Sequence, residues 1–348
     1  SHNNLQVPAS VSLDTLHERA IPHLQRSLSV PIQDKQVEEF KQAVVNAGDK
    51  QAIAAVHSMS HPKAGAWLDC LPIGVHAHCM SASQWVLMVL YRLMLPLCLD
   101  LNGVACECGK PWDPHGYHAH SCHRCKLRHQ QHHTVQHVLH TIFNSLALGA
   151  TKAWSGMYQD NPYKAWDLVL QNLKPGVNVA LDLSITSPVC SSYLTKAQVP
   201  AGAAVERERK KDDKYLPGLP NNYVFTPVIF ETFGRWGPRL DELWELVMRK
   251  VPASMRVLQR NTNTPWNALT FERLWTQRIS ITLMSQVAKI IETAVQKTRV
   301  KHHHLVPMSG VAQQQRPPTA VAPPRDPVLD ILHGEPTEWA TFAEMGLM

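Results

Sequence analysis

The sequence has no long uninterrupted apolar segment. The apolar run Trp85–Leu97 is interrupted by Arg92 and is shorter than the roughly 20 residues that a membrane-spanning helix requires. We therefore expect no membrane partner, and we interpret the run as a buried helix that ends at Pro96. The first residues also lack the pattern of a secretory signal peptide. We expect a nuclear or cytoplasmic protein that is not secreted.

The sequence also lacks the even cysteine distribution of a disulfide framework. Four of the eight cysteines fall in one histidine-rich stretch, whereas the disulfides of a small secreted protein would be distributed through its sequence. The clustering indicates metal ligation in a reducing compartment. The sequence also lacks a polymerase signature of the type Tyr-x-Asp-Asp, so this chain should not polymerise nucleic acid by itself.

Neither charge sign is in large excess. The 34 Lys and Arg residues against 28 Asp and Glu residues give a net charge of +6, which suits a nucleic-acid partner without requiring one. The chain has 348 residues, 44% of them apolar, which is enough for one to three domains with a sizeable core.

The stretch 104–129 has the residue types and the short spacings of a zinc module. Zinc takes four sulfur or nitrogen ligands in a tetrahedron, and this stretch offers more candidates than one ion requires. The preferred ligands are Cys106, Cys108, His118 and Cys122, with Cys125, His115 and His129 in reserve. Gly109 lets the chain turn back after the first two cysteines. The rival interpretation is a group of solvated histidines beside reduced, buried cysteines.

Apolar periodicity divides the rest of the chain into helices and strands. A helical region precedes the zinc module, and an amphipathic helix after it stops near Gly149. The strand candidates are Ala165–Leu170, Val177–Ile185 and Tyr223–Glu231, and the later helix candidates are Ala201–Tyr215, Arg239–Val251 and Phe271–Thr298. The turn Lys174–Gly176 predicts a hairpin between the first two strands.

These patterns predict a mixed α/β fold in which helices flank a sheet. The expected divisions are a helical region at 1–103, the zinc module at 104–129, a sheet-containing domain at 130–300 and a Pro- and Gln-rich, largely disordered tail at 301–348.

Two aspartates, Asp167 and Asp182, fall within apolar strand candidates. A carboxylate in such a place costs several kcal/mol unless it is paired or binds a cation. Two of them on adjacent strands would suit Mg²⁺ or Mn²⁺, which prefer oxygen ligands. Lys210, Lys211 and Lys214 of the following helix are placed to stabilise charge on a phosphate. The rival interpretation is that both aspartates cap turns at strand ends.

Several runs together resemble the C-terminal zinc knuckle and restriction-like endonuclease region of non-LTR retrotransposon proteins. The runs are Cys106–Gly109, Asp113–His118, Leu181–Pro188 and Phe230–Gly237. The resemblance implies a PD-(D/E)xK-type fold that nicks target DNA to prime reverse transcription. It also implies a reverse-transcriptase region upstream in the same polyprotein, with residues 1–103 as the end of its connection, and DNA and element RNA as partners.

The resemblance also assigns roles to single residues. Asp167 and Asp182 would be the catalytic metal ligands. Ser184 stands where a lysine usually follows the second acid, and Lys211 would replace that lysine. Asp160 would stand in for a glutamate that usually precedes the first acid.

Basic residues near both candidate sites suggest phosphate contacts. Those assigned to nucleic-acid binding are Arg207, Lys210, Lys214 and Arg128, with Arg209, Arg124 and Lys126 beside them. The rival interpretation is a solvated, charged helix. Three functions follow from these alternatives: a metal-dependent DNA endonuclease, a catalytically inactive zinc-containing nucleic-acid-binding protein, and a structural zinc protein with neither activity.

Overall fold

The computed structural model describes residues 24–70, 80–152, 165–258 and 268–303. Asp160 and the tail beyond His303 lie outside these ranges, so the expectations about them are not addressed by the structure. The described residues up to His303 belong to one compact unit. None of the described helices is both long and apolar enough to cross a membrane.

The N-terminal part is helical, as expected. Helix α1 spans Leu24–Ala47, α2 spans Lys50–Met59 and α3 spans Ala82–Arg92. Gly48 has a φ of +70° and separates α1 from α2, and the Asp49 carboxylate then accepts hydrogen bonds from two backbone N–H groups at the start of α2. Helix α3 ends at Arg92, before Pro96, because Met94 takes a left-handed backbone conformation with a φ of 55°.

The remaining elements alternate between helices and a four-stranded sheet. They are α4 (His118–Ser121), α5 (Leu127–Ser145), β1 (Ala150–Lys152), β2 (Leu168–Lys174), β3 (Val177–Thr186), α6 (Gly202–Tyr215), β4 (Tyr223–Glu231), α7 (Pro238–Arg249), α8 (Ala253–Arg256) and α9 (Phe271–His303). Within the described ranges, short 3₁₀ turns at Ala66–Asp69, Leu99–Leu101 and Lys196–Gln198 lie between these helices and strands.

The sheet is mixed, with strand order β1-β2-β3-β4. The predicted hairpin is confirmed: β2 and β3 are antiparallel, and Lys174 pairs with Val177 across the turn at Pro175 and Gly176. Strand β4 runs parallel to β3, as a strand reached through a crossover helix can. The crossover is α6. The fold is therefore a mixed α/β sheet flanked by helices.

The sheet places its two faces in different surroundings. Leu181 and Leu183 of β3 lie in the large core, which also contains the apolar face of α5. Ala180 lies in a smaller cluster with Tyr215 of α6. Since side chains alternate along a strand, Asp182 falls on the side of α6.

The N-terminal helices and the Cys/His stretch share the large core with the sheet. The Trp112 indole N–H donates to Thr298 Oγ1 of α9 at 3.0 Å, and the backbone N–H of Trp67 donates to Ser280 Oγ of α9 at 3.1 Å. Tyr91 of α3 stacks on Phe233 with ring centroids 4.3 Å apart. Helix α9 thus holds the Cys/His stretch against the rest of the fold.

Candidate metal centre and carboxylate site

Four side chains of the Cys/His stretch bring their ligand atoms to one place. The groups are Cys106, Cys108, His118 and Cys122, and their sulfur and nitrogen atoms all lie within 4.8 Å of one another. These are the four ligands preferred from the sequence. In the part of the chain that the structure describes, no other group of three or more Cys, His, Asp or Glu residues converges in this way.

The spacing of these atoms fits a tetrahedral metal ion. The Cys106 and Cys122 sulfurs are 3.7 Å apart, and Cys108 Sγ is 3.3 Å from His118 Nε2. Two sulfurs that each bond one zinc ion at roughly 2.3 Å stand about 3.8 Å apart in a regular tetrahedron. The Cys₃His group could therefore hold a metal ion such as zinc with little rearrangement.

Local backbone geometry delivers these ligands. Gly109 has a φ of +81° and donates its N–H to Cys106 O, which closes the turn between the two cysteines. The Asp113 carboxylate accepts hydrogen bonds from the backbone of His115, Tyr117 and His118, the last at 2.6 Å. This turn starts the short helix α4 and directs the His118 ring inward.

Burial sets the protonation of the candidate ligands. It lowers the pKa of His118, so the imidazole favours the neutral form that coordinates metals. Burial and the neighbouring Cys106 thiol raise the pKa of Cys122 to about 12. For Cys108, hydrogen bonds to the thiolate outweigh burial and lower the pKa. A bound cation would favour the thiolate form of all three cysteines.

The three reserve candidates lie outside the convergent group. His115 stacks on Tyr117 with ring centroids 5.2 Å apart, and His129 is exposed near the start of α5. Cys125 lines a shallow groove beside Cys106 and Cys122.

Asp182 lies buried in the middle of the sheet, where only 4% of its surface is exposed. Its Oδ2 forms an ion pair with Lys211 of α6, and both side chains are largely screened from solvent. The structure therefore brings together a predicted metal ligand and the lysine predicted to act beside it. Of the three candidate lysines on α6, Lys211 is the one that contacts Asp182.

Asp167 occupies a different position from the one predicted. The predicted strand Ala165–Leu170 begins too early, because β2 starts at Leu168 and Asp167 precedes it. The Asp167 backbone N–H donates to Leu181 O at 2.9 Å, while Asp167 Oδ2 accepts the Leu183 N–H at 2.6 Å. The carboxylate thus takes the place of a main-chain acceptor at the edge of β3, which explains why the strand cannot begin earlier.

Sequence reasoning missed two residues of this site. His132 Nε2 donates to Asp167 Oδ2 at 3.0 Å, and Gln136 Nε2 donates to Asp167 O at 2.7 Å. Burial opposes protonation of His132, but its hydrogen bond to Asp167 and the charges of Asp167 and Asp182 outweigh that effect and raise the pKa of His132. The only signal in the sequence was that polar residues fall on the same face of α5 as its buried apolar residues. A helical projection shows this only once the inward face of α5 is known.

The motif around Gly237 fixes α6 over the sheet. Glu231 Oε1 accepts the backbone N–H of Ala204 near the start of α6, at 3.0 Å. The buried Glu208 carboxylate accepts the Arg239 N–H at 3.2 Å, and a Cβ at Gly237 would stand 2.5 Å from Glu208 Oε1. Burial raises the pKa of Glu208 to about 7. These contacts hold α6 in the orientation that places Lys211 on Asp182.

The predicted nucleic-acid-binding residues of α6 are largely paired within the chain. Arg207 Nε donates to Ser184 Oγ at 2.8 Å, and Arg209 bonds the carboxylates of two neighbouring acids at 2.7 and 2.9 Å. Lys210 Nζ stands 3.5 Å from Glu206 Oε1, and Lys214 Nζ donates to the Tyr215 hydroxyl at 2.9 Å.

Basic residues also lie near the Cys/His stretch. Arg124, Lys126 and Arg128 are exposed. Ser184 of β3 accepts a hydrogen bond from the Arg207 side chain of α6.

Comparison with known proteins gives no assignment. No family model matches the sequence. A search of the curated proteins finds no match either.

Proposed function

We propose that this chain contains a metal-dependent DNA endonuclease domain of retroelement origin with a restriction-like, PD-(D/E)xK-type fold. The observation that supports it best is the buried ion pair between Asp182 of the central strand β3 and Lys211, with Asp167 held just before the neighbouring strand β2. Burying an acid and a base at this depth is costly, and a purely structural core is often as stable without them. A functional requirement for both groups explains their retention.

The donor chemistry around the two aspartates suits Mg²⁺ or Mn²⁺. Such ions bind through one or two carboxylates and complete their shell with water and substrate phosphate oxygens. Asp167 and Asp182 would supply the two carboxylates; the Lys211 ammonium balances the charge of Asp182, and His132 donates a hydrogen bond to Asp167. When bound, the ion would activate a water molecule and neutralise charge on the scissile phosphate.

The protein's own residues would have separate roles. Lys211 would stabilise negative charge on the phosphate, since its ammonium already lies against the candidate metal ligand. Arg207 would keep Ser184 in place beside the site. The Cys₃His group would bind zinc and act structurally, stabilising the stretch that leads into α5.

The partners in this proposal are DNA and element RNA, with a reverse transcriptase upstream in the same polyprotein. Exposed Arg128, Lys210 and Lys214 would contact phosphates, since the internal pairs of α6 are surface pairs that contribute little to stability and can be exchanged. Such contacts supply affinity rather than sequence selectivity.

The alternative is a catalytically inactive, zinc-containing nucleic-acid-binding protein. One observation favours it: each candidate carboxylate already has a basic partner within the chain, as in a site that no longer takes a metal.

Nicking of a supercoiled plasmid in Mg²⁺ or Mn²⁺ separates the two. The endonuclease proposal requires nicking that Asp182→Ala abolishes and that survives Asp213→Ala, because Asp213 is an exposed acid on the same helix as Lys211. Wild-type protein that binds DNA but never nicks it would support the alternative.

A further inference from the structure

We propose that His132 and Gln136 of α5 are positioning residues that hold Asp167 in a single orientation, with Oδ1 left for a ligand. The role of Asp167 as a metal ligand rests on the proposed function. The positioning itself does not, because it follows from contacts within the chain.

The polar contacts of Asp167 come from two elements. Strand β3 accepts its N–H at Leu181 O and donates to its Oδ2 from the Leu183 N–H. Helix α5 supplies the other two contacts, His132 on Oδ2 and Gln136 on the carbonyl oxygen. The main chain and one carboxylate oxygen are thereby fixed from two sides.

The two donors to Oδ2 leave the second carboxylate oxygen open. Within the described part of the chain, Asp167 makes no hydrogen bond through Oδ1. About a fifth of the Asp167 side chain is exposed, at 22%. A carboxylate held by one oxygen and presented by the other is the usual arrangement for a ligand supported by outer-shell residues.

Helix α5 is built to hold both donors on one face. His132 and Gln136 are four residues apart, which places them side by side on a helix. Between them, Val135 is buried in the large core and fixes the helix against the sheet. His133 Nδ1 lies 3.2 Å from Gln136 Oε1, so the amide oxygen has its own partner and the amide nitrogen points to Asp167 O.

Loss of such outer-shell contacts commonly lowers metal affinity or activity by about 10- to 100-fold. A more direct consequence does not involve a metal. Toward β2, the Leu183 N–H has the Asp167 carboxylate as its acceptor, so exchange of this amide with solvent reports how firmly the carboxylate is held.

The experiment is amide hydrogen exchange at Leu183, measured by NMR on full-length protein without added Mg²⁺ or Mn²⁺. In His132→Leu we expect exchange at Leu183 to accelerate about tenfold, as for the loss of one supporting hydrogen bond. In His132→Gln, the glutamine side-chain nitrogen reaches about as far as the histidine Nε2. This variant should therefore restore the protection of the Leu183 amide from exchange. The matched control is His137→Leu, since His137 is an exposed histidine on the same helix.

If Leu183 exchanged as fast in His132→Gln as in His132→Leu, the role of His132 would be merely structural and the proposal would fail. Unchanged Leu183 protection in His132→Leu would overturn the proposal. If His132→Leu does not fold, Gln136→Met provides the second test, and it should accelerate the same amide while keeping side-chain volume.

Plasmid nicking by the same variants separates this proposal from the proposed function. Faster Leu183 exchange together with nicking that persists in Asp182→Ala would leave the positioning role standing and remove the endonuclease. Unchanged Leu183 exchange in His132→Leu, together with metal-dependent nicking that Asp182→Ala abolishes, would remove the positioning role and leave the endonuclease proposal standing.

Discussion

Replacing Lys211 with methionine tests how much the ion pair with Lys211 stabilises the buried carboxylate of Asp182. Methionine keeps most of the volume of the lysine stem but removes the ammonium that contacts Asp182 Oδ2. The side chains of the pair are 12% and 6% exposed, so solvent cannot replace the lost partner well. Removing one partner of a buried ion pair typically costs about 3–5 kcal/mol. We expect a loss of about 3 kcal/mol in the free energy of unfolding, toward the lower end because Lys211 keeps some exposure.

The assay is urea unfolding of zinc-loaded protein, followed by tryptophan fluorescence without added Mg²⁺. The double variant Lys211→Met with Asp182→Asn removes both charges and should recover much of the loss, since the isolated charge is gone. Lys214→Met is the matched control, because Lys214 is exposed at the end of the same helix and should change stability little.

Added Mn²⁺ extends the same test. If Asp182 binds a cation, Mn²⁺ should stabilise Lys211→Met more than wild type, because the variant no longer has a competing ammonium. A Lys211→Met variant as stable as wild type would refute the reasoning, since Asp182 would then not need its partner.

The remaining predictions concern zinc, pH and salt. Purified protein should carry about one zinc ion per chain by metal analysis. Cys108→Ser should lose this zinc and Cys125→Ser should keep it, so equal zinc content in the two variants would contradict the ligand assignment. Burial raises the pKa of Glu208 to about 7, so the folded state binds the Glu208 proton more tightly than the unfolded state does. The protonated Glu208 carboxyl therefore contributes fully to stability below pH ~4.5, and this contribution is lost as pH rises through about 7. Glu208→Gln should flatten that decline in unfolding free energy; an identical pH dependence in both proteins would show that another group causes it. Replacing Lys210 and Lys214 with alanine should reduce the slope of DNA affinity against salt concentration, and binding by wild type that is insensitive to salt would argue for a merely solvated helix.

The mixed α/β fold could be predicted from the sequence because its signals are local. Alternating apolar residues in 177–185 and a Pro-Gly turn before them are enough to place β3 and the hairpin, and the structure agrees. The convergence of the Cys₃His group was also predictable, since close cysteine spacings constrain which atoms can meet. The strand β1 was missed because three residues are too few to show a period.

The carboxylate site depended on contacts that sequence periodicity does not encode. The two aspartates were visible as acids in apolar surroundings, yet the start of β2 was placed too early because the bond from the Leu183 N–H to the Asp167 carboxylate is a tertiary contact. His132 and Gln136 precede Asp167 by about 30 residues in the chain and reach it only because α5 packs on the sheet. The choice of Lys211 over Lys210 likewise depends on the rotation of α6, which Glu208 and Gly237 fix from outside the helix. The sequence by itself determined which residue types were available and in which elements; tertiary packing decided which of them touch, because helix rotation and strand ends depend on contacts between distant segments.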